Sequence, residues 1–345
     1  MSDPLIPLRP VTDPGGPPLD SEMWDGAPLR DGTLSPVDHR LPGTAATEPT
    51  TGITLPSTGE GVIIEAPPPS DAPGPGVPAR VPHIGHALLF LAFTFLLLLV
   101  AQVSLLGLAH PVVDPHKTAT AAAHPKLIVA AEAVTYVLSL AVAFFFFPLL
   151  WQRSFGNGIQ WDFSSARRNA HKLIPIGLIA GFAVQAISSL IPVPKSIPMD
   201  DFFRTPSDVW LVTAFGTLLA PMFEEIAFRG FLFPAFAIAY DWLSLPRTPA
   251  AREHWHNTTG LTMAAVIFSA ILSSILFALL HAEQLAHAWV ALFVLFCVSL
   301  VLTMVRIKTR SVASSTLVHA CYNLSVFLTL FIATGGYRHL ERLTR

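Results

Sequence analysis

From Ala87 to the C-terminus the chain is a succession of seven apolar runs, at about 87–109, 126–151, 172–192, 208–245, 261–281, 285–307 and 311–334. Each approaches or exceeds the roughly 20 residues that a helix needs to cross a hydrocarbon slab. Lipid offers no water to backbone N–H and C=O groups, so runs of this length satisfy them internally as helices. The fold class that follows is all-α: a polytopic membrane helix bundle of seven or eight transmembrane helices. The count turns on the fourth run, which is too long for one perpendicular span. It tilts, breaks or holds two short helices, and Pro221 and Pro234 are the expected kinks.

Composition agrees. Only 13% of residues are charged, about half the usual share for a soluble domain, and the mean hydropathy is +0.55, which excludes a soluble globular fold. A net charge of −2 gives no basic field, so nucleic acid is not an expected partner, whereas the lipid bilayer is. Cys297 and Cys321 both sit in apolar runs, which excludes a disulfide framework and a CxxC metal or redox centre.

Residues 1–82 are of another kind. They hold 18 of the 31 prolines, eleven acidic residues and four arginines. Such a segment cannot bury enough apolar surface to offset its ordering entropy, and it reads as a disordered, acidic tail ahead of a transmembrane domain over 83–345. Lys and Arg set the orientation. Arg153, Arg167, Arg168 and Lys172 follow the second run, Arg247 and Arg252 the fourth, and Arg306, Lys308 and Arg310 the sixth. Those connections, and with them the N-terminus, are expected in the cytoplasm.

Ionisable groups at membrane depth cost roughly 2.5–3.5 kcal/mol each on insertion scales, so they are functional candidates by default. Three clusters qualify. In Pro221-Met-Phe-Glu-Glu-Ile-Ala-Phe-Arg-Gly230, Glu225 and Arg229 are spaced i,i+4 and can neutralise one another. Glu224 lies about 100° around the helix and lacks that partner, the situation of a carboxylate that takes up a proton or meets a cation, as a general base does. The second cluster is Phe277 with His281. The third is His319 with Asn323, again i,i+4 on one face. A base, a proton partner and oxyanion donors are what water-mediated peptide hydrolysis requires. Taken singly, each cluster is equally a structural feature: an internal ion pair, a lining for a water cavity, or interhelical hydrogen-bond glue.

The ordered trio EExxxR, FxxxH and HxxxN resembles the CAAX protease and bacteriocin-processing family (CPBP or Abi), whose eukaryotic relatives are the type II CAAX prenyl endopeptidases of the endoplasmic reticulum. The resemblance covers about residues 165–335. It implies an intramembrane endopeptidase in which Glu224 and His281 activate water, His319 and Asn323 stabilise the oxyanion, and Glu225, Arg229 and Phe277 support them. The implied partner is a membrane-associated peptide or protein substrate. A bacterial inner membrane is favoured over the endoplasmic reticulum. No cofactor is assigned; Glu224, His281 and His319 would match the ligand number of a catalytic Zn site, although no HExxH helix is present. An ion-coupled transporter and a non-catalytic peptide-binding immunity or scaffold protein are the alternatives. Counting helical rise exposes one difficulty. Glu224 lies roughly 24 Å from the start of its run and His319 roughly 12 Å from the start of its own, compatible depths, but His281, about 30 Å from Leu261, lands nearer the outer surface.

Overall fold

The computed structural model describes residues 80–109, 125–190 and 198–344. The acidic tail, up to residue 79, lies outside the described residues. Among the described residues eleven α-helices follow in order: α1 Ile84–Ala109, α2 Pro125–Trp151, α3 Phe155–Ile159, α4 Phe163–Ser188, α5 Pro206–Ala214, α6 Ala220–Glu225, α7 Phe233–Ser244, α8 Pro249–Asn257, α9 Met263–Leu280, α10 Trp289–Thr309 and α11 Val312–Ala333. No strand occurs among the described residues. Among the described residues seven spans are long and apolar enough to cross a membrane, with α5, α6 and α7 forming one 39-residue rod, Pro206–Ser244. This is an integral membrane protein.

The long rod does not break. It widens twice, through π-helical turns at Phe215–Leu219 and Ile226–Leu232. Each wide turn runs into a proline, Pro221 or Pro234, in the first turn of the next α segment. A proline cannot donate to the carbonyl four residues back, and its ring collides with that carbonyl. Those carbonyls belong to Thr217 and Gly230, and the wide turns that contain them absorb the collision while helical continuity survives.

The third span begins at Phe163 rather than at 172. Asp162 accepts a hydrogen bond from the Ser165 N–H (2.9 Å), and this N-cap starts the helix through the polar stretch SSARRNAHK. Arg167, Arg168 and Lys172 are therefore helical and not part of a loop. Hydropathy alone does not register a helix that leaves the apolar layer.

Six residue pairs set the helix register around the rod. Asp241 near its C-terminal end accepts from the Thr262 N–H (2.9 Å) and hydroxyl (2.5 Å) at the N-cap of α9. Further along, the Ser269 hydroxyl donates to the Phe233 carbonyl, and Phe228 meets Phe277 edge-on at 5.1 Å. The rod and α9 thus run antiparallel. On its other side α2 runs parallel to the rod: Lys126 pairs with Asp208 (3.4 Å), Tyr136 stacks on Phe223 (3.8 Å) and Phe147 packs on Phe231 (4.9 Å). An aromatic core of Phe90, Phe147, Trp151, Phe155 and Phe231 seals the basic end of the bundle.

Helix α11 lies along α4 in parallel, the two joined where the Ser311 hydroxyl donates to the Asp162 carbonyl (2.8 Å). Gly177 and Gly181, four residues apart, face it. A Cβ at Gly177 would lie 2.5 Å from the Val318 carbonyl oxygen, and one at Gly181 would lie 2.7 Å from that of Tyr322. Only hydrogen fits there, so the backbones approach as small-xxx-small pairs do in membranes. That contact fixes the helix carrying His319 and Asn323.

Candidate active site

Glu225 is fully buried and Arg229 is 1% exposed. The i,i+4 pair forms as its spacing requires: Arg229 Nη1 donates to Glu225 Oε1 at 2.7 Å. Arg229 Nη2 donates to the carbonyl and the hydroxyl of Ser299 on α10, both at 2.8 Å, and the guanidinium lies over the Phe277 ring at 4.9 Å. The charge is thus spread over three elements. A buried pair with these extra bonds holds together, whereas either partner alone would be an uncompensated charge.

The same Oε1 of Glu225 meets Nδ1 of His319 at 3.0 Å. This orients the imidazole, whose Nε2 then faces Glu224 Oε2 at 3.9 Å. One ring therefore stands between the adjacent carboxylates: Glu225, locked to arginine, and Glu224, with no arginine or lysine in salt-bridge range among the described residues. Glu224 retains some exposure, its side chain 12% accessible against 0% for Glu225. The pair is asymmetric in partners and in access to water.

Asn323, one turn beyond His319, donates from Nδ2 to the Gly216 carbonyl at 2.6 Å. Gly216 lies in the first π turn, and that bond ties α11 to the rod. One amide hydrogen is used; the other is left for a ligand.

His281 caps the C-terminus of α9, with Nδ1 3.0 Å from the Phe277 carbonyl oxygen. Its ring packs against Phe277 at 5.1 Å, and Phe277 meets His319 at 5.8 Å. Phe277 is thus a shared wall for both histidines and for Arg229. Among the described residues no bond joins His281 to Glu224, His319 or Asn323. Its height nevertheless resolves the difficulty of counting rise. From the latch between Asp241 and Thr262, Glu224 is roughly 25 Å along the rod and His281 roughly 28 Å along α9, so the two share a level. The discrepancy arose from measuring Glu224 from the start of a rod that, at 39 residues, is longer than one span, while His281 was measured from the opposite end of the bundle. Helix α11 instead begins beside Gln160, whose carbonyl accepts from Val312 N–H at 3.0 Å.

The proposed zinc ligands do not fit as a set. Glu224 and His319 are neighbours, but no group of three His, Cys, Asp or Glu side chains among the described residues is placed to hold a metal ion.

Several members of the cluster carry no sequence motif. Ser299 completes the arginine site from α10, and Gly216 anchors Asn323. Glu132 and Tyr136 come from α2, where Tyr136 stacks on Phe223, the residue before Glu224. Glu132 was readable as the lone acidic residue of an apolar run; Ser299 and Gly216 gave no such signal. The pairing of Gly177 with Gly181 was available as a GxxxG spacing.

No curated protein and no solved structure matches the chain. One family does, described as type II CAAX prenyl endopeptidase Rce1-like, over residues 206–325. That stretch runs from the start of α5 into α11 and contains all seven motif residues, from Glu224 to Asn323. The CPBP resemblance carried by EExxxR, FxxxH and HxxxN thus meets independent support, and residues 206–325 are Rce1-like.

Proposed function

We propose that the protein is an intramembrane endopeptidase that hydrolyses a peptide bond in a membrane-associated substrate. The observation that carries this reading is the imidazole of His319 between Glu225 and Glu224, within an Rce1-like segment. Glu224, the carboxylate without a cationic partner, takes a proton from water as that water attacks the substrate carbonyl. His281, level with it, assists on the water. Negative charge then develops on the carbonyl oxygen, where the Nε2–H of His319 as an imidazolium, its Nδ1–H donating to Glu225, and the second amide hydrogen of Asn323 receive it. Glu225 and Arg229 act through His319, holding its ring in one orientation.

Desolvation helps this arrangement. Donors already fixed by Glu225 and Gly216 do not reorganise as the oxyanion forms, and they act in a medium of low dielectric. The wide π turn at 215–219 supports the same reading, since π bulges recur at functional sites and this one presents the Gly216 carbonyl to Asn323. The basic connections and the N-terminus face the cytoplasm in this reading, and a bacterial inner membrane is its setting.

The test uses purified protein in proteoliposomes with a library of membrane-anchored peptides, products being identified by mass spectrometry. Wild type is expected to cleave, and Glu224→Gln to lower the rate by about 100-fold or more. Equal cleavage by both proteins removes Glu224 as the base. Ion-driven uptake into the vesicles without peptide cleavage supports a carrier instead.

A further inference from the structure

Peptide hydrolysis breaks a C–N bond, and the departing amine must receive a proton. Glu224, His281, His319 and Asn323 supply a base and oxyanion donors, but no separate acid among them is assigned to the nitrogen. A candidate stands on α2, outside the Rce1-like segment.

From Leu127 to Trp151 helix α2 carries a single residue that is charged at neutral pH, Glu132, in a largely apolar sequence. An ionisable group at such a place is expensive unless it has a task. The register of α2 on the rod is set by Lys126 on Asp208, Tyr136 on Phe223 and Phe147 on Phe231. Glu132 is one turn before Tyr136 on the same face, and Glu224 is the residue after Phe223. Because the two helices run parallel, the axial offset between the two carboxyl-bearing residues is about 7.5 Å, five residues of rise, which two glutamate side chains span through one water.

Among the described residues no lysine or arginine lies in salt-bridge range of Glu132. Tyr136 is on its own helix. Lys126 is engaged by Asp208 of α5. The only ionisable residue of α1 is His86, which packs on Phe147 and Trp151 at the far end of α2. From α6 come Glu224 and Glu225, the latter paired with Arg229. Two carboxyl groups with no arginine or lysine between them share a proton, because both cannot carry charge side by side in a medium of low dielectric.

We propose that Glu132 is the second carboxyl group of the active site, holding the shared proton while Glu224 acts as base and delivering it to the leaving amine. This rests on the endopeptidase reading and completes its proton inventory. The water oxygen bonds to the carbonyl carbon as Glu224 accepts a water proton. The tetrahedral intermediate then collapses, the C–N electron pair goes to nitrogen, and the Glu132 carboxylic acid protonates that nitrogen. The proton on Glu224 passes to Glu132 through water, and both groups return to their starting states.

The test has two readouts on wild type, Glu132→Gln, Glu132→Asp and Glu224→Gln in proteoliposomes. The first is cleavage kinetics across pH. Glu132→Gln is expected to lower kcat about 100-fold with KM within about twofold of wild type, and to abolish the fall of rate at alkaline pH that a general acid imposes. Glu132→Asp is expected to restore part of the rate. The second is the infrared carbonyl stretch of a protonated carboxylic acid, expected in wild type and lost in both glutamine variants. Wild-type kcat and pH profile in Glu132→Gln overturn the proposal and leave the endopeptidase reading intact. A wild type that cleaves nothing but shows the shared-proton band overturns the endopeptidase reading and the amine step while upholding the pair. Absence of the band from wild type overturns the pair itself.

Discussion

The close approach of α4 and α11 sets where His319 stands, and a single methyl group tests it. In Gly177→Ala the new Cβ would lie 2.5 Å from the Val318 carbonyl oxygen and 2.6 Å from Cys321 Cβ, where ordinary contact begins at 3.4 Å. Neither obstacle is the end of a flexible side chain. Relief therefore requires the backbones to part by about 0.9 Å at the residue before His319. His319 is held to Glu225 at 3.0 Å and faces Glu224 at 3.9 Å, distances that a shift of that size disrupts. Misplacement on this scale costs about 100-fold in rate, equivalent to about 2.7 kcal/mol of barrier. The assay is peptide cleavage in proteoliposomes, with circular dichroism and gel filtration to verify folding. Gly107→Ala, where an added Cβ meets nothing within 4 Å, is the control and is expected to keep the wild-type rate. A folded Gly177→Ala protein cleaving within about threefold of wild type would refute the reasoning.

Three further outcomes follow from the site. Arg229→Met strands the buried Glu225 charge and is expected to lower unfolding free energy in mixed micelles by about 3–5 kcal/mol; the double variant with Glu225→Gln should recover part of the loss, and strict additivity would contradict a coupled pair. Asn323→Ala removes an oxyanion donor together with the bond to Gly216, so kcat should fall about 100-fold or more; a change confined to KM would assign the amide to substrate binding instead. Because no three ligands among the described residues gather around Glu224 and His319, cleavage is expected to survive a metal chelator, and metal content should be equal in wild type and His319→Ala; loss of activity restored by zinc would reverse this.

Much of the site was legible because helical spacing is a local rule. Glu225 with Arg229 and His319 with Asn323 sit i,i+4, so their faces follow from 3.6 residues per turn, and each pair does lie on one face. The isolation of Glu224 followed from the same geometry. Tertiary partners were not local. Nothing in the spacing announces that Ser299 on α10 would accept from Arg229, that Gly216 would receive the Asn323 amide, or that His319 would bridge two carboxylates. The seven spans were plain from apolar length. The start of α4 was not, since Asp162 caps a polar first turn that hydropathy ignores. The long fourth run was expected to kink at Pro221 and Pro234, and the two π turns that keep it continuous arise from the chain's freedom to widen a turn before a proline.

The account rests on Glu224 and Asn323 bordering one space inside the bundle that water enters. Single cysteines at 224, 323 and 145, placed in a background lacking Cys297 and Cys321, can be exposed in proteoliposomes to a small, charged, membrane-impermeant thiol reagent. Phe145 is 73% exposed on the apolar face of α2 and reports the lipid side. Modification at 224 and 323, with none at 145, is the predicted result. If 224 and 323 are as inert as 145, no water reaches Glu224 and it cannot activate any.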